Sequence, residues 1–323
     1  MNAAERKFLA ETRPWGLILF NRNIGIPAQV SALIQEFRGV VGYLDAPVLI
    51  DQEGGRVQRL APPLWPDFPP AASFGEIYAR DPARAIEAAK LGARLIASEL
   101  SALGITIDCL PVADLQRPEG HKVIGDRAYG AEIDTVVDLA RAAAEGLMAG
   151  GVLPVMKHIP GHGRANADSH ETLPVVSVSC EELARSDFEP FRRLNDLPIA
   201  MTAHVVYEAI DPSRAATISR KVVQDVIRGH IAFDGLLLTD DISMKALAGK
   251  LRTRAEMAIE AGCDIILHCN GNLEEMIEVA AASPELTGEA ARRAESALTL
   301  CKLPLETLNV TEARARFSAM LAA

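Results

Sequence analysis

The densest run of chemistry in the chain is Lys157-His158-Ile159-Pro160-Gly161-His162-Gly163, continuing into Asp168-Ser169-His170. It holds three of the chain's seven histidines. The apolar run Val152-Leu153-Pro154-Val155-Met156 before it reads as a buried strand ending at Lys157, and the glycines and proline after it make an irregular loop. His170 and Asp168 lie two residues apart. A carboxylate at that spacing can fix a histidine's tautomer and raise its basicity, which makes a proton-transfer pair near neutral pH. The plainer reading of the same residues is a solvated polar loop. His162, between two glycines, reads as a packing residue.

Thr239-Asp240-Asp241 is the second polar group, placed where the apolar run Gly235–Leu238 stops. A carboxylate at a strand end can be a nucleophile, a metal ligand or the N-cap of the next helix. Asp240, nearer the strand, is expected to point inward and act, with Asp241 as a cap or support. Asp51-Gln52-Glu53-Gly54-Gly55-Arg56-Val57-Gln58-Arg59 also begins at a strand end. An aspartate followed by arginines suits recognition of hydroxyl groups. Its Gly-Gly does not make a nucleotide fingerprint, and GxxxxGK[ST] is absent from the chain.

These groups need elements that bring them together. Apolar runs at Trp15–Phe20, Ala46–Ile50, Ile105–Leu110, Val152–Lys157, Pro198–Ala203, Gly235–Thr239 and Asp264–Leu267 alternate with helical patterns. Pro82–Leu103 is a strong example, with Pro82 in its first turn and Gly104 as its stop. Ser179-Cys180-Glu181-Glu182 reads as a capping box for a helix reaching Leu194, and Ser219 caps another that stops at Gly229. Asp51 to Ser73 reads as one long Gly/Pro-rich functional loop. Strand, loop and helix in repetition imply parallel βαβ units, and continuous apolar strands imply a sheet covered on both faces. The expected fold is a single α/β domain spanning 1–323, a (β/α)8 TIM-type barrel whose eighth strand has no clear place in the sequence. In such a barrel Asn21, Asp51, Lys157-His158, His204, Asp240 and His268 would converge on one mouth.

Composition narrows the partners. A formal net charge of −10 argues against nucleic acid, which rewards clustered Lys and Arg. No run reaches the length of a membrane span, and the polar, helix-like start carries no secretory h-region, so the expected location is the cytoplasm. The five cysteines include no CxxC pair and read as reduced thiols, with no structural zinc. No cofactor is expected, and carbohydrate or other small neutral substrates stay open.

Taken together, Ile50–Arg59, Gly125-Asp126-Arg127, Lys157–Gly163, Asp168-Ser169-His170 and Thr239-Asp240-Asp241-Ile242-Ser243-Met244 resemble glycoside hydrolase family 3, in particular its single-domain bacterial β-N-acetylhexosaminidases. Ile159 stands where an aromatic residue is common. The resemblance implies that Asp240 is the nucleophile of a covalent glycosyl-enzyme, and that His170, polarised by Asp168, is the general acid/base. It implies that Asp51, Arg59, Arg127, Lys157 and His158 hold an N-acetylglucosamine ring. The implied task is removal of β-linked N-acetylglucosamine from anhydro-muropeptides in cell-wall recycling. Independently, a retaining mechanism needs one anion and one group that donates and then accepts a proton. Asp240 on a strand and His170 on a glycine-rich, movable loop meet that need. Three alternatives stay open from the residues alone: a family 3 glycosidase of other sugar specificity, a phosphorylase, and a metal-dependent barrel hydrolase using His158, His162, His204 and Asp240.

Overall fold

The structure is a computed structural model, and it describes residues 1–118, 120–169, 171–302, 305 and 307–322. Among these, eleven strands form: β1 (Leu17–Leu19), β2 (Val48–Ile50), β3 (Gln52–Gly54), β4 (Val57–Gln58), β5 (Ile107–Asp108), β6 (Leu153–Ile159), β7 (Val175–Val176), β8 (Ile199–Thr202), β9 (Val206–Tyr207), β10 (Leu236–Asp241) and β11 (Ile265–Leu267). Seven of them make one parallel sheet in the order β1-β2-β5-β6-β8-β10-β11. Helices connect most of them, so the α/β reading with parallel strands holds. Seven strands, not eight, pair in this sheet among the described residues.

Side chains alternate across this sheet with period two. Leu49, Ile107, Cys109, Leu153, Val155, Ile199, Met201, Leu236, Leu238 and Leu267 share one apolar cluster. Ile18 of β1 and Ile265 of β11, strands at opposite ends of the sheet order, pack against that same cluster. The Arg22 guanidinium, just past β1, also donates to the Cys269 carbonyl, just past β11, at 2.5 Å. The sheet is therefore curled, with this cluster inside it. Ala294 and Ala297 of helix Gly288–Leu300 join the interior. The opposite face packs on the helices through a larger cluster that includes Val48, Ile50, Met156, Ala200 and Leu237.

Helix Pro82–Leu103 forms as expected: Asp81 accepts from Arg84 N at 3.1 Å, and Gly104 ends it at φ 89°. Helix Val310–Ala322 packs back on it through Phe317, which leaves no space for a Cβ at Gly92. Three expectations are corrected. The long loop after Asp51 folds into the antiparallel hairpin β3–β4, and helix Ala71–Tyr78 begins before its expected end. The helix expected to run to Leu194 is two pieces, Cys180–Arg185 and Glu189–Arg193, broken at Ser186-Asp187. Ser219 does cap, its Oγ accepting from Val222 N at 3.3 Å, but the helix is a π-helix, Val222–His230, that runs past Gly229.

Candidate active site

The inward alternation of the strands carries forward into the site. Leu49, Val155 and Leu238 face the interior, so the residues two positions on, Asp51, Lys157 and Asp240, fall on the same side at the strand ends. The ladders lose step at these points, between Lys157 and Ile159 on β6 and between Leu238 and Asp241 on β10.

Asp51, Lys157 and their neighbours form an ion-paired wall. Lys157 Nζ lies 3.0 Å from Asp51 Oδ1 and 2.6 Å from Glu53 Oε1, with its side chain 2% exposed. Arg59 reaches Asp51 Oδ2 at 2.9 Å and stacks over Phe20. Arg127 holds Glu53 bidentately, both contacts at 2.8 Å. Burial by itself would push both carboxyls up, but Lys157 and then Arg59 hold Asp51 well below its ordinary range. Arg127 and Lys157 likewise bring Glu53 down to about 2. Burial acts to lower Lys157, and the two carboxylates reverse that and raise it. Asp108, with the opposite strand parity, is fully buried behind this wall and accepts from Gln52 N at 2.9 Å. Burial raises its carboxyl well above the ordinary range.

A second set surrounds the end of β6. His158 Nδ1 is 2.6 Å from Asp114 Oδ2, and the other oxygen of Asp114 accepts from His162 N at 2.6 Å. An ionised carboxylate can only accept, so Nδ1 carries the proton and donates, and in the neutral ring Nε2 is then the acceptor. The His162 ring packs edge-on to His158 with centroids 5.6 Å apart, and burial, then His158, lower it to about 4. The motif's Gly163 is required by contact: a Cβ there would stand 2.0 Å from the Leu115 carbonyl oxygen.

At the end of β10, Asp240 Oδ1 accepts from Asp241 N at 2.8 Å. Burial acts to raise Asp240, but His204, His158 and other neighbours outweigh it and hold the carboxyl below its ordinary range. It is an anion at neutral pH. Asp241 turns away from the mouth, accepting from Ser243 N and Oγ and from Cys269 N. Both ring nitrogens of His204 are engaged, Nδ1 with Thr217 Oγ1 at 2.7 Å and Nε2 with the Asp241 carbonyl at 2.9 Å. His268 is turned to Glu275 at 3.3 Å. Strand-end position thus brings Asp51, Lys157, His158 and Asp240 together, while His204 and His268 act as supports.

Asp168 lies on the loop that follows β6, and His170 lies outside the described residues. The Asp168 carbonyl accepts from Glu171 N and Thr172 N, and the Ser169 carbonyl accepts from Ala246 N at 3.1 Å. Ser169 Oγ also contacts Met244 Sδ at 3.7 Å. The loop is therefore attached to the segment that immediately follows Asp240-Asp241.

The family model for the glycosyl hydrolase family 3 N terminal domain matches residues 1–296. The chain belongs to glycosyl hydrolase family 3. A β-hexosaminidase from Alkalilimnicola ehrlichii is 41% identical over 276 residues, which are 84% of this chain and 78% of that protein. Another from Bordetella avium is 39% identical over 272 residues, 82% of this chain and 76% of that one. NagZ from Neisseria gonorrhoeae, solved in complex with N-trifluoroacetyl-D-glucosamine, matches with a TM-score of 0.87 at 31% identity, over 100% of this chain and 95% of its own. The family resemblance read from the motifs is borne out.

Two residues of this family 3 site were missed by the sequence reading. Glu53 was quoted inside a motif but given no role, although it is the bidentate partner of Arg127. Asp114, just past the apolar run Ile105–Leu110, holds His158 and the His162 backbone. The signal for both was faint: each is a single acid close behind an apolar strand, paired with a residue more than forty positions away.

Proposed function

We propose that this glycoside hydrolase, a β-N-acetylhexosaminidase, releases non-reducing β-linked N-acetylglucosamine with retention, through a covalent glycosyl-enzyme on Asp240. Asp168 and His170 supply the proton to the leaving oxygen and then remove one from water. Asp51, Arg59, Arg127, Lys157 and His158 hold the sugar. The substrate is a small carbohydrate, an N-acetylglucosamine-containing anhydro-muropeptide fragment handled in cell-wall recycling in the cytoplasm. Residues 1–323 act as one catalytic domain, and the curled sheet belongs to a (β/α)8 barrel.

The observation that supports this reading most is the hydrogen bond from Ala246 N to the Ser169 carbonyl. It joins the loop that carries Asp168 to the segment that follows Asp240, which supports pairing the two as acid/base element and nucleophile. Asp240 is an anion, as a nucleophile must be. The hexosaminidase names of the relatives and the sugar derivative bound to the gonococcal protein point to an N-acetylated ring. A metal-hydrolase reading is weakened by the bonds already made at His204, whose two nitrogens leave no lone pair for a metal. For the same reason His158 has only Nε2 to offer. No helix among the described residues is long and apolar enough to cross a membrane.

The test is nitrophenol release from the β-N-acetylglucosaminide and the β-glucoside, by wild type and Asp240→Ala, with EDTA present. Turnover of the N-acetyl substrate alone, lost in the variant and indifferent to chelation, is expected. An active Asp240→Ala enzyme would overturn the assignment.

A further inference from the structure

Asp187 has no part in the chemistry above, yet it stands where two loops of the mouth meet. It lies at the break between helices Cys180–Arg185 and Glu189–Arg193, with its side chain 2% exposed. Its Oδ2 accepts from Arg164 Nε at 2.7 Å and from Ser186 Oγ at 2.7 Å, and Arg117 Nη2 approaches the same oxygen at 3.9 Å. Arg164 belongs to the loop that carries Asp168, and Arg117 to the long loop after β5. The Asp187 backbone also presses on the root of the Asp168 loop: a Cβ at Gly161, where φ is 139°, would stand 2.9 Å from its carbonyl oxygen. Arg164 makes a second ion pair, to Glu182 on the same broken helix, at 2.9 Å.

The attachments of the loop divide into two sets. Toward the tip, Ser169 bonds to Ala246 and touches Met244. At the root, Tyr207 donates to the Gly161 carbonyl, Asp114 accepts from His162 N, and Arg164 is held by Asp187 and Glu182. Among these root contacts, the Arg164–Asp187 pair is a charged side-chain tie whose two residues stand outside the sugar-facing and nucleophile groups. A half-buried guanidinium on a buried carboxylate fixes direction as well as distance. Displacing a catalytic group by even an ångström from such a remote site can cost about a hundredfold in rate.

We propose that Asp187, through Arg164, is a positioning residue for the proton-transfer loop: it fixes the root from which Asp168 and the following histidine are presented to the leaving oxygen. The inference rests on the assignment of that loop as the acid/base element. Its effect must therefore depend on how much the leaving group needs a proton. Asp187→Asn and Arg164→Gln should each lower kcat about tenfold or more on an alkyl N-acetylglucosaminide, a poor leaving group, with KM within about twofold. On the nitrophenyl glycoside, which leaves without help, the loss should stay within about threefold. Arg164→Lys, which keeps the charge but not the fork that spans Asp187 and Glu182, should recover only part of the alkyl activity.

Asp168→Asn is measured beside them. If it shows no dependence on the leaving group, the acid/base reading itself fails and this inference goes with it. If Asp168→Asn shows the dependence while Asp187→Asn and Arg164→Gln slow both substrates equally, or neither, Asp187 is a packing residue and the proposal is overturned. Arg164→Gln keeps the test decisive should Asp187→Asn fail to fold, because Arg164 reaches in from the loop.

Discussion

The two sides of the mouth are built on different principles. On one side, Asp51, Glu53, Lys157, Arg59 and Arg127 form a continuous ion-paired wall on strand ends, with Lys157 2% and Glu53 4% exposed. On the other, Asp168 rides a loop held by backbone bonds at its tip and by Asp114, Tyr207 and Asp187 at its root. A buried network with each charge answered cannot shift one member without exposing another, so it presents a fixed surface. A group carried on a loop can adjust where one on a strand end cannot. The fixed side suits recognition of a ring that must be held still, and the adjustable side suits a proton that must be delivered first to one oxygen and later taken from another.

Between the two sides stands Asp240, and the largest expected effect is there. Asp240→Ala should lower turnover of the nitrophenyl N-acetylglucosaminide by about 10⁴-fold or more, as removal of a covalent nucleophile does elsewhere. Circular dichroism should remain that of the wild type, because the Asp240 side-chain bond to Asp241 N is local. Substantial residual turnover would remove Asp240 from the centre and dissolve the distinction between the two sides.

The adjustable side is probed by His170→Ala. On an alkyl glycoside the loss should be about 10²–10⁴-fold, and on an activated aryl glycoside far less. Equal losses on both substrates would place His170 on the recognition side instead. The fixed side should respond in stability. Lys157→Ala removes the cation from two buried carboxylates and should destabilise the fold by about 3–5 kcal/mol in denaturant unfolding. A change below about 1 kcal/mol would mean that water or relaxation repairs the wall, and that it is not rigid.

The same wall has a pH signature. Glu53 is brought from an ordinary 4.5 to about 2 in the folded protein. A carboxyl depressed in this way contributes stability that is complete above its unfolded value and is lost as pH falls through the folded one. Stability should therefore decline between about pH 4.5 and pH 2, with Glu53 responsible for up to about 3 kcal/mol. Glu53→Gln should be less stable at neutral pH and should show a flatter acid limb. An unchanged acid limb would show that Glu53 carries no such charge.

How much of this was legible in the sequence follows from the same division. Asp51, Lys157 and Asp240 were readable because apolar strands stop abruptly at them, and strand parity then fixes their direction. Asp241 is bonded to Ser243, and His162 packs against His158 with its backbone N–H on Asp114. Glu53 and Asp114 were not readable as functional, since an acid in a loop has no periodicity and its partner is set by the tertiary fold. The break at Ser186-Asp187 was hidden for a related reason. A cap and a helical pattern forecast one helix, and the buried bonds from Arg164 and Ser186 to Asp187 that accompany the break are not local. The hairpin after Asp51 lay under glycine and proline signals that mark turns without telling a loop from short strands.

Asp114 gives the smallest expected effect and the finest discrimination between the two sides, because it touches both. It fixes His158, which the proposed function assigns to the recognition group, and His162 N, at the root of the loop. Asp114→Asn keeps the shape but brings an amide that donates to Nδ1, so the His158 proton moves to Nε2. The face His158 turns to the sugar then changes from acceptor to donor, which costs about one hydrogen bond. KM for the nitrophenyl N-acetylglucosaminide should rise about tenfold while kcat stays within about threefold. Nitrogen-15 chemical shifts of the His158 ring should report the exchanged tautomer. A loss confined to kcat would mean that Asp114 acts through the loop and not through His158. The ion-paired wall would then hold the ring without the histidine beside it.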